Sequence, residues 1–193
     1  MNNQINIQTE NVINTYKNGT QEQRTFLENL FGKEVFKPKN VMERIKTFED
    51  ACAELGADHP YVRSYKGYVD CISEANKDDK DVIAYLKLRI ITTALNEGWK
   101  PEFKPGEWRY APYFVLYTQD EIDKMDDETR ARVVFRSYNY AYAFGGVSCA
   151  GSSYGSVYVS ASIGCRLAFK DEELAEYAGK QFIEIYADML LGW

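Results

Sequence analysis

Apolar residues in the first hundred positions recur at three- and four-residue intervals, which is the spacing that places side chains on one face of an α-helix. One such segment covers residues 26–31 and follows Thr20 and Gln23, which fit a capping box. A second predicted helix covers about residues 41–55. The third and strongest covers about residues 80–96 and carries a broad apolar stripe. The N-terminal half is therefore predicted to be helical.

The pattern changes near Trp99, where Pro101, Pro105 and Pro112 fall within twelve residues. Proline lacks the amide that a central strand needs, so this stretch is predicted to be loop or edge strand. Aromatic residues lie between and beyond the prolines, and we expect them to pack in a core beneath a sheet. They are Phe103, Trp108, Tyr110, Tyr113, Phe114 and Tyr117.

Two later stretches, residues 138–144 and 156–163, alternate larger and smaller or apolar and polar side chains with a period of two. This alternation is typical of strands with one buried face. The Gly- and Ser-rich residues 145–155 between them predict a turn-rich loop. Leu167 and Phe169 extend the alternation and predict a further strand.

Two more helices complete the predicted elements. Thr118 and Glu121 fit another capping box and predict a short helix reaching about Asp126. The chain closes with a predicted helix over about residues 171–190. The sequence thus predicts an α+β protein in which a helical N-terminal region, residues 1–98, precedes a mixed α/β domain, residues 99–193.

The segment 137–165 carries the clearest functional signal. Charged residues make up 27% of the chain, yet none occurs among these 29 positions, which are rich in Ser, Tyr and Gly. This composition resembles that of antibody contact loops, where Tyr supplies contact area and Ser and Gly supply adaptable polar contacts. The alternative is an ordinary sheet whose outer face happens to be polar, although surface strands usually carry charges.

The predicted contact surface consists of tyrosine anchors surrounded by smaller polar side chains that adjust hydrogen bonding. Its candidate ligand-binding residues are Tyr138, Asn139, Tyr140, Tyr142, Tyr154, Ser156, Tyr158, Ser160 and Ser162.

Composition and charge exclude several classes of function. The net charge of −6 argues against a nucleic-acid partner, and the longest uncharged run is too polar for a membrane span. The N-terminus lacks a secretory signal, so we expect synthesis in the cytoplasm of the host cell. The cysteines, Cys52, Cys71, Cys149 and Cys165, lack zinc-site spacing and are expected to be free thiols.

Enzyme motifs find little support. Residues 151–155 match GxSxG, but that nucleophile elbow needs a strand-to-helix turn and a downstream histidine. The single histidine, His59, lies upstream and is predicted to be a surface loop residue. Phosphate-binding GxxxxGK[ST] is absent. We therefore expect a protein that is not an enzyme and needs no metal or other cofactor.

Several stretches resemble one family. WRYAPYF, IGCRLAFK and ELAEYAGKQFIEIYADML in the C-terminal half, with LENLFGKEVFKPK and KTFEDACAELG upstream, are similar to proteins of gut Bacteroidetes and their phages, including crAss-like phages. Residues 137–165 also resemble the variable region of diversity-generating retroelement target proteins. That resemblance implies a C-type-lectin-like fold, whose closing motif Gly164-Cys165-Arg166 fits. The calcium motifs EPN and WND are absent, so calcium-dependent sugar binding is not expected.

The resemblances imply a non-catalytic phage or prophage protein that binds a protein or surface ligand through the Tyr/Ser/Gly-rich segment, which is a candidate for hypervariability. Two alternatives remain open. An intracellular host-interaction or anti-defence protein would bind a small molecule or host protein, for example in a cavity lined by Trp108, Tyr110 and Tyr113. A structural virion component would attach, or form homo-oligomers, through the N-terminal helices.

Overall fold

A computed structural model describes residues 6–72, 79–102, 104, 106–136, 145–155 and 165–191. Within them the protein is mixed α+β, as the sequence predicts. The backbone separates into two compact units, residues 1–44 and 45–193. The helices within residues 45–98 lie in the same unit as the strands, and the domain boundary predicted after residue 98 stays a prediction.

The first unit is helical. Its elements are α1 (Thr9–Asn18), α2 (Gln21–Phe31), a 3₁₀ turn (Lys33–Phe36) and α3 (Val41–Arg44). The predicted capping box is confirmed: the Gln23 amide donates to the Thr20 hydroxyl, and the Thr20 amide donates to Oε1 of Gln23 at 2.8 Å. The Tyr16 hydroxyl donates to Glu28 at 2.6 Å, which ties α1 to α2. Phe26 and Leu30 of α2 are more than half exposed.

The second unit packs helices against a small sheet. Its elements are α4 (Phe48–Leu55), α5 (Pro60–Cys71), α6 (Lys80–Leu95), β1 (Arg109–Thr118), α7 (Gln119–Asp123), α8 (Asp127–Arg130), β2 (Val134–Arg136), β3 (Gly145–Gly155), a 3₁₀ turn (Cys165–Leu167), α9 (Glu172–Gln181) and α10 (Ile183–Leu191). Helix α6 is the centre of this unit and packs against α4, α5 and α10. Leu88, Ile91 and Leu95 on α6 are fully buried.

Two predicted helices prove to be broken. The segment 41–55 is interrupted before Thr47, because the Thr47 hydroxyl and the Asp50 carboxylate form a capping box that starts α4. The segment 171–190 is interrupted at Phe182, whose backbone departs from helical geometry between α9 and α10. The helix after Thr118 begins at its predicted capping box but ends at Asp123.

The sheet corrects one prediction. Its strands are antiparallel in the order β1-β3-β2, so the Gly- and Ser-rich residues 145–155, predicted to be a loop, form the central strand. Gly146 fits without any shift of its neighbours, whereas a Cβ there would collide with Cγ1 of Val133. Gly151, at the irregularity in the β1–β3 pairing, has φ +148°. Close approaches and a bulge are the places where a strand accepts glycine.

Strand β1 lies at the edge of the sheet and contains Pro112, as predicted for this proline-rich stretch. Leu167, by contrast, lies in a 3₁₀ turn, and Phe169 makes only an isolated bridge with Tyr110, so the further strand predicted there is absent. The period-two segments 138–144 and 156–163 fall outside the described residues.

Helices α9 and α10 cover one face of the sheet. Gly179 of α9 comes so close to the sheet that a Cβ would lie 2.6 Å from Sγ of Cys149 and 2.8 Å from Cβ of Pro112. The rings of Phe114 and Tyr186 pack with their centroids 4.9 Å apart. Tyr186 is fully buried, and this burial raises the pKa of its phenol. These contacts fix which face of β1 and β3 is turned away from the helices.

Candidate functional site

The predicted contact residues are mostly beyond the part of the chain that the structure describes. Those that lie outside it are Tyr138, Asn139, Tyr140, Tyr142, Ser156, Tyr158, Ser160 and Ser162. Tyr154 lies in β3, where its backbone is in register with Tyr110. The predicted surface as a whole therefore stays a prediction.

The described strands nevertheless show what composition the sheet presents away from the helices. Because Pro112 and Phe114 contact the helices, the alternation of side chains turns Tyr113, Val115 and Tyr117 to the opposite side. Ser148 of β3 is paired with Val115, and its hydroxyl donates to that of Tyr117 at 3.3 Å. We call this set, Tyr113, Val115, Tyr117 and Ser148, the outer face.

The aromatic residues near Pro112 are less buried than predicted. Trp108 is 50% exposed and Tyr113 is 55% exposed, so core packing is the wrong prediction for these two side chains. Tyr113 is an outer-face residue of an edge strand, and nothing obliges an edge strand to bury both of its faces. Phe114, one position later, turns inward to Tyr186, as predicted for a core aromatic.

A cleft of about 350 Å³ lies at the opposite end of the proline-rich stretch, around Trp99. Its walls are formed by the start of α5, by the end of α6 with the chain that follows it, and by the 3₁₀ turn Cys165–Leu167 with Ala168 after it. We call it the Trp99 cleft. Its lining residues are His59, Pro60, Tyr61, Thr92, Thr93, Asn96, Gly98, Trp99, Lys100, Pro101, Arg166 and Ala168.

A tight reversal after α6 brings Trp99 to this position. Glu97 and Gly98 both have positive φ, at +49° and +87°, and the Trp99 amide donates to the carbonyl of Asn96 at 2.9 Å. A positive φ is uncommon outside glycine, so a Glu in this conformation marks a conformationally constrained turn. Helix α6 ends at Leu95, close to the predicted end near residue 96, and the turn directs the following chain along the cleft.

The start of α5 forms the facing wall. His59 lies in the connection before this helix, as predicted, and also caps it, with Nδ1 accepting from the Tyr61 amide at 3.3 Å. The guanidinium of Arg89 on α6 lies 4.0 Å from the centroid of the Tyr61 ring. This cation–π contact holds the start of α5 against α6.

The floor of the Trp99 cleft is held by a buried side chain. Asn96 donates from Nδ2 to the carbonyl of Ala168 and accepts at Oδ1 from the Lys170 amide, at 2.8 and 3.0 Å. Phe169, between these two, exchanges backbone hydrogen bonds with Tyr110 of β1. The segment is thus fixed on both sides by hydrogen bonds within the protein.

The lining combines positive charge with a buried hydroxyl. Lys100 and Arg166 line the Trp99 cleft, and none of its described lining residues is a carboxylate. Glu97, which precedes the cleft, is paired with Lys170 at 3.1 Å. Thr92 is 2% exposed, and its buried Oγ1 has no hydrogen-bond partner within the described part of the chain. A buried polar group left unsatisfied costs about 1–3 kcal/mol, so this hydroxyl would gain from a partner.

The structure also shows where the residues of the weak enzyme and metal motifs lie. Ser153 of the GxSxG match lies within β3, in register with Ala111, rather than at a strand-to-helix turn. Cys52, Cys71 and Cys149 are free thiols, as expected, and burial raises the pKa of the Cys149 thiol. In the described ranges, His, Cys, Asp and Glu side chains form no group of three or more that could hold a metal ion. No helix there is long and apolar enough to cross a bilayer.

Comparisons with known proteins give no relative: no family model, no curated protein and no solved structure matches the chain.

Proposed function

We propose that the protein is a non-catalytic binding protein of phage or prophage origin that contacts a protein or cell-surface ligand through its Tyr/Ser/Gly-rich segment. The origin and the C-type-lectin-like arrangement rest on the sequence resemblances, including the closing motif Gly164-Cys165-Arg166. An experimental structure of the full chain would test that arrangement.

The outer face is the observation that carries this proposal. Here the side of the β1–β3 pair that the helices leave uncovered carries two tyrosines, a valine and a serine, and the charged residue that the alternation places on the same side, Arg109 at the start of β1, is buried. A sheet that serves only as a soluble surface usually carries Lys or Glu at such positions. Aromatic residues with few torsions to freeze are instead enriched where proteins meet partners. Residues 137–144 lie between β2 and β3 in the chain, and residues 156–165 follow β3. Both stretches are likewise uncharged and contain tyrosine and serine.

The test uses intact cells of gut Bacteroidetes and the labelled full chain, with binding measured by flow cytometry. Replacing Tyr138, Tyr140 and Tyr158 together by Ala should abolish binding while the melting temperature stays nearly unchanged. Loss of about 2 kcal/mol or more per anchor explains the expected result. Unfolding of this variant would show that the tyrosines belong to the core and would defeat the proposal.

A matched pair on β1 tests the described part of the surface. Tyr113 and Leu116 are similarly exposed, at 55% and 58%, but their side chains leave β1 on opposite sides. We expect Tyr113→Ala to weaken cell binding and Leu116→Ala to leave it unchanged. Equal effects of the two substitutions would mean that the outer face has no special role.

The N-terminal helices supply a second candidate function, which is self-association or attachment to a virion. It is supported by Phe26 and Leu30, which stand one turn apart on α2 and are 64% and 60% exposed. Light scattering of the full chain against Phe26→Ser/Leu30→Ser distinguishes the cases. A fall in mass for the variant supports association through α2, and a monomeric wild-type chain removes the self-association part.

A further inference from the structure

We propose that the Trp99 cleft is a second binding site, for a small planar aromatic anion, separate from the Tyr/Ser-rich surface. The proposal does not depend on the function of residues 137–165, because it is argued only from described lining residues, which lie outside that segment.

The size and the apolar lining suit a small molecule. A volume of about 350 Å³ lies at the lower end of the range of roughly 300–1,000 Å³ typical of ligand sites. Trp99 and Tyr61 contribute aromatic rings, and Pro60 and Pro101 contribute rigid apolar walls. Such walls favour a flat ring over a flexible chain, since both ring faces can be covered without freezing side-chain torsions.

The charges select an anion. Lys100 makes no ion pair with any residue that the structure describes, and its side chain lines the cleft together with that of Arg166. The α5 N-terminus, capped by His59, also opens here and adds a partial positive charge. In a protein whose net charge is −6, a cleft whose described lining residues include Lys100 and Arg166 but no carboxylate is locally positive. An anionic group would be attracted here and repelled from most of the surface.

The cleft is preformed, which lowers the cost of binding. Asn96 fixes its floor through two hydrogen bonds, and the Arg89–Tyr61 contact fixes one wall. The lining also includes Thr92, whose buried hydroxyl has no hydrogen-bond partner among the residues that the structure describes. A flat ring suits the apolar surface around it.

The experiment titrates the full chain with adenosine 5′-monophosphate, with adenosine and with inorganic phosphate as separate arms. Binding is measured by calorimetry and by the fluorescence of Trp99, with Trp99→Phe identifying its signal. We expect the monophosphate to bind more tightly than either adenosine or phosphate. Lys100→Gln should weaken monophosphate binding about tenfold and leave adenosine unchanged, because a charge-assisted hydrogen bond is removed. Lys124→Gln, which removes an equal charge from an exposed position outside the cleft, should change neither.

Three results would overturn the proposal. The monophosphate and adenosine could bind equally well, Lys124→Gln could weaken binding as much as Lys100→Gln, or neither aromatic probe could bind at millimolar concentration. Lys100 is exposed, so its substitution leaves the fold intact, and a melting curve of each variant verifies this. Failure here leaves the cell-binding proposal standing, because the two experiments share neither residues nor ligand.

Discussion

The side-chain amide of Asn96 donates a hydrogen bond of 2.8 Å to the carbonyl oxygen of Ala168, which lies 72 positions farther along the chain. The same side chain accepts from the Lys170 amide, so one buried asparagine replaces the two backbone partners that a neighbouring strand would supply. It joins the end of the central helix α6 to the chain that leads into α9. This link determines the position of the floor of the Trp99 cleft.

Replacing Asn96 by Ala should therefore destabilise the protein by about 2–3 kcal/mol, since it leaves the Ala168 carbonyl and the Lys170 amide without partners. Urea unfolding of the full chain measures the change. Asn96→Asp is the informative companion, because a carboxylate can still accept from Lys170 but cannot donate to Ala168. A loss below about 0.5 kcal/mol for the alanine variant would show that water replaces both bonds.

Gly179 and Gly67 form a second, opposed pair of predictions. At Gly179 an added Cβ would lie 2.6 Å from the Cys149 sulfur and 2.8 Å from Pro112, so Gly179→Ala should destabilise by about 1–3 kcal/mol. At Gly67, inside α5, an added Cβ meets nothing within 4 Å, so Gly67→Ala should stabilise by about 0.5–1 kcal/mol through helix propensity.

Thermal unfolding of the two single variants checks these signs. Combining Gly179→Ala with Cys149→Ala should recover part of the loss, because one of the two close atoms is removed. If Gly179→Ala proved neutral, α9 would be free to move away from the sheet at little cost, and the close packing described above would be wrong.

The capping box of α4 gives a prediction for pH. The amides of Lys46 and Thr47 both donate to Oδ2 of Asp50, and these hydrogen bonds hold the pKa of Asp50 below its usual range. A lowered folded-state pKa stabilises the protein above the unfolded value of about 3.9, and this contribution is lost as the pH falls through the folded value.

The measurement compares melting temperatures of the wild type and Asp50→Asn between neutral and acid pH. The wild type should be the more stable near pH 7, and the difference should shrink as the pH falls below about 4. Asp58→Asn removes the same charge from the loop before α5 and serves as the control. If the difference in melting temperature stayed constant over this pH range, the negative charge of Asp50 would make no contribution to stability.

The sequence predicted best those features that depend on residues close together in the chain. Thr20 with Gln23, and Thr118 with Glu121, mark helix starts because both partners of each capping box lie within one turn. The central helix α6 was equally predictable, since its apolar stripe alone requires a helix with a buried side. The mixed α+β class follows from these local signals.

Distant contacts account for what the sequence did not predict. In the sequence alone, Gly146 is typical of a turn. Only the structure shows that a Cβ there would collide with Val133, which explains a glycine in the central strand β3. Likewise, His59 and Trp99 lie forty positions apart and show no shared pattern, so the cleft between them could not be foreseen. The Asp50 and Thr47 box was present in the sequence and could have revealed the break before α4.

The proline in β1 also limits the addition of a further strand at this edge of the sheet. Tyr110 exchanges both of its backbone hydrogen bonds with Phe169, so its polar groups point away from β3, and the two-residue repeat turns those of Pro112 the same way. A second chain approaching this border would meet one site already occupied and, two residues on, a nitrogen without a hydrogen. At the β1 edge, Pro112 and the occupied groups of Tyr110 therefore oppose the addition of a further strand.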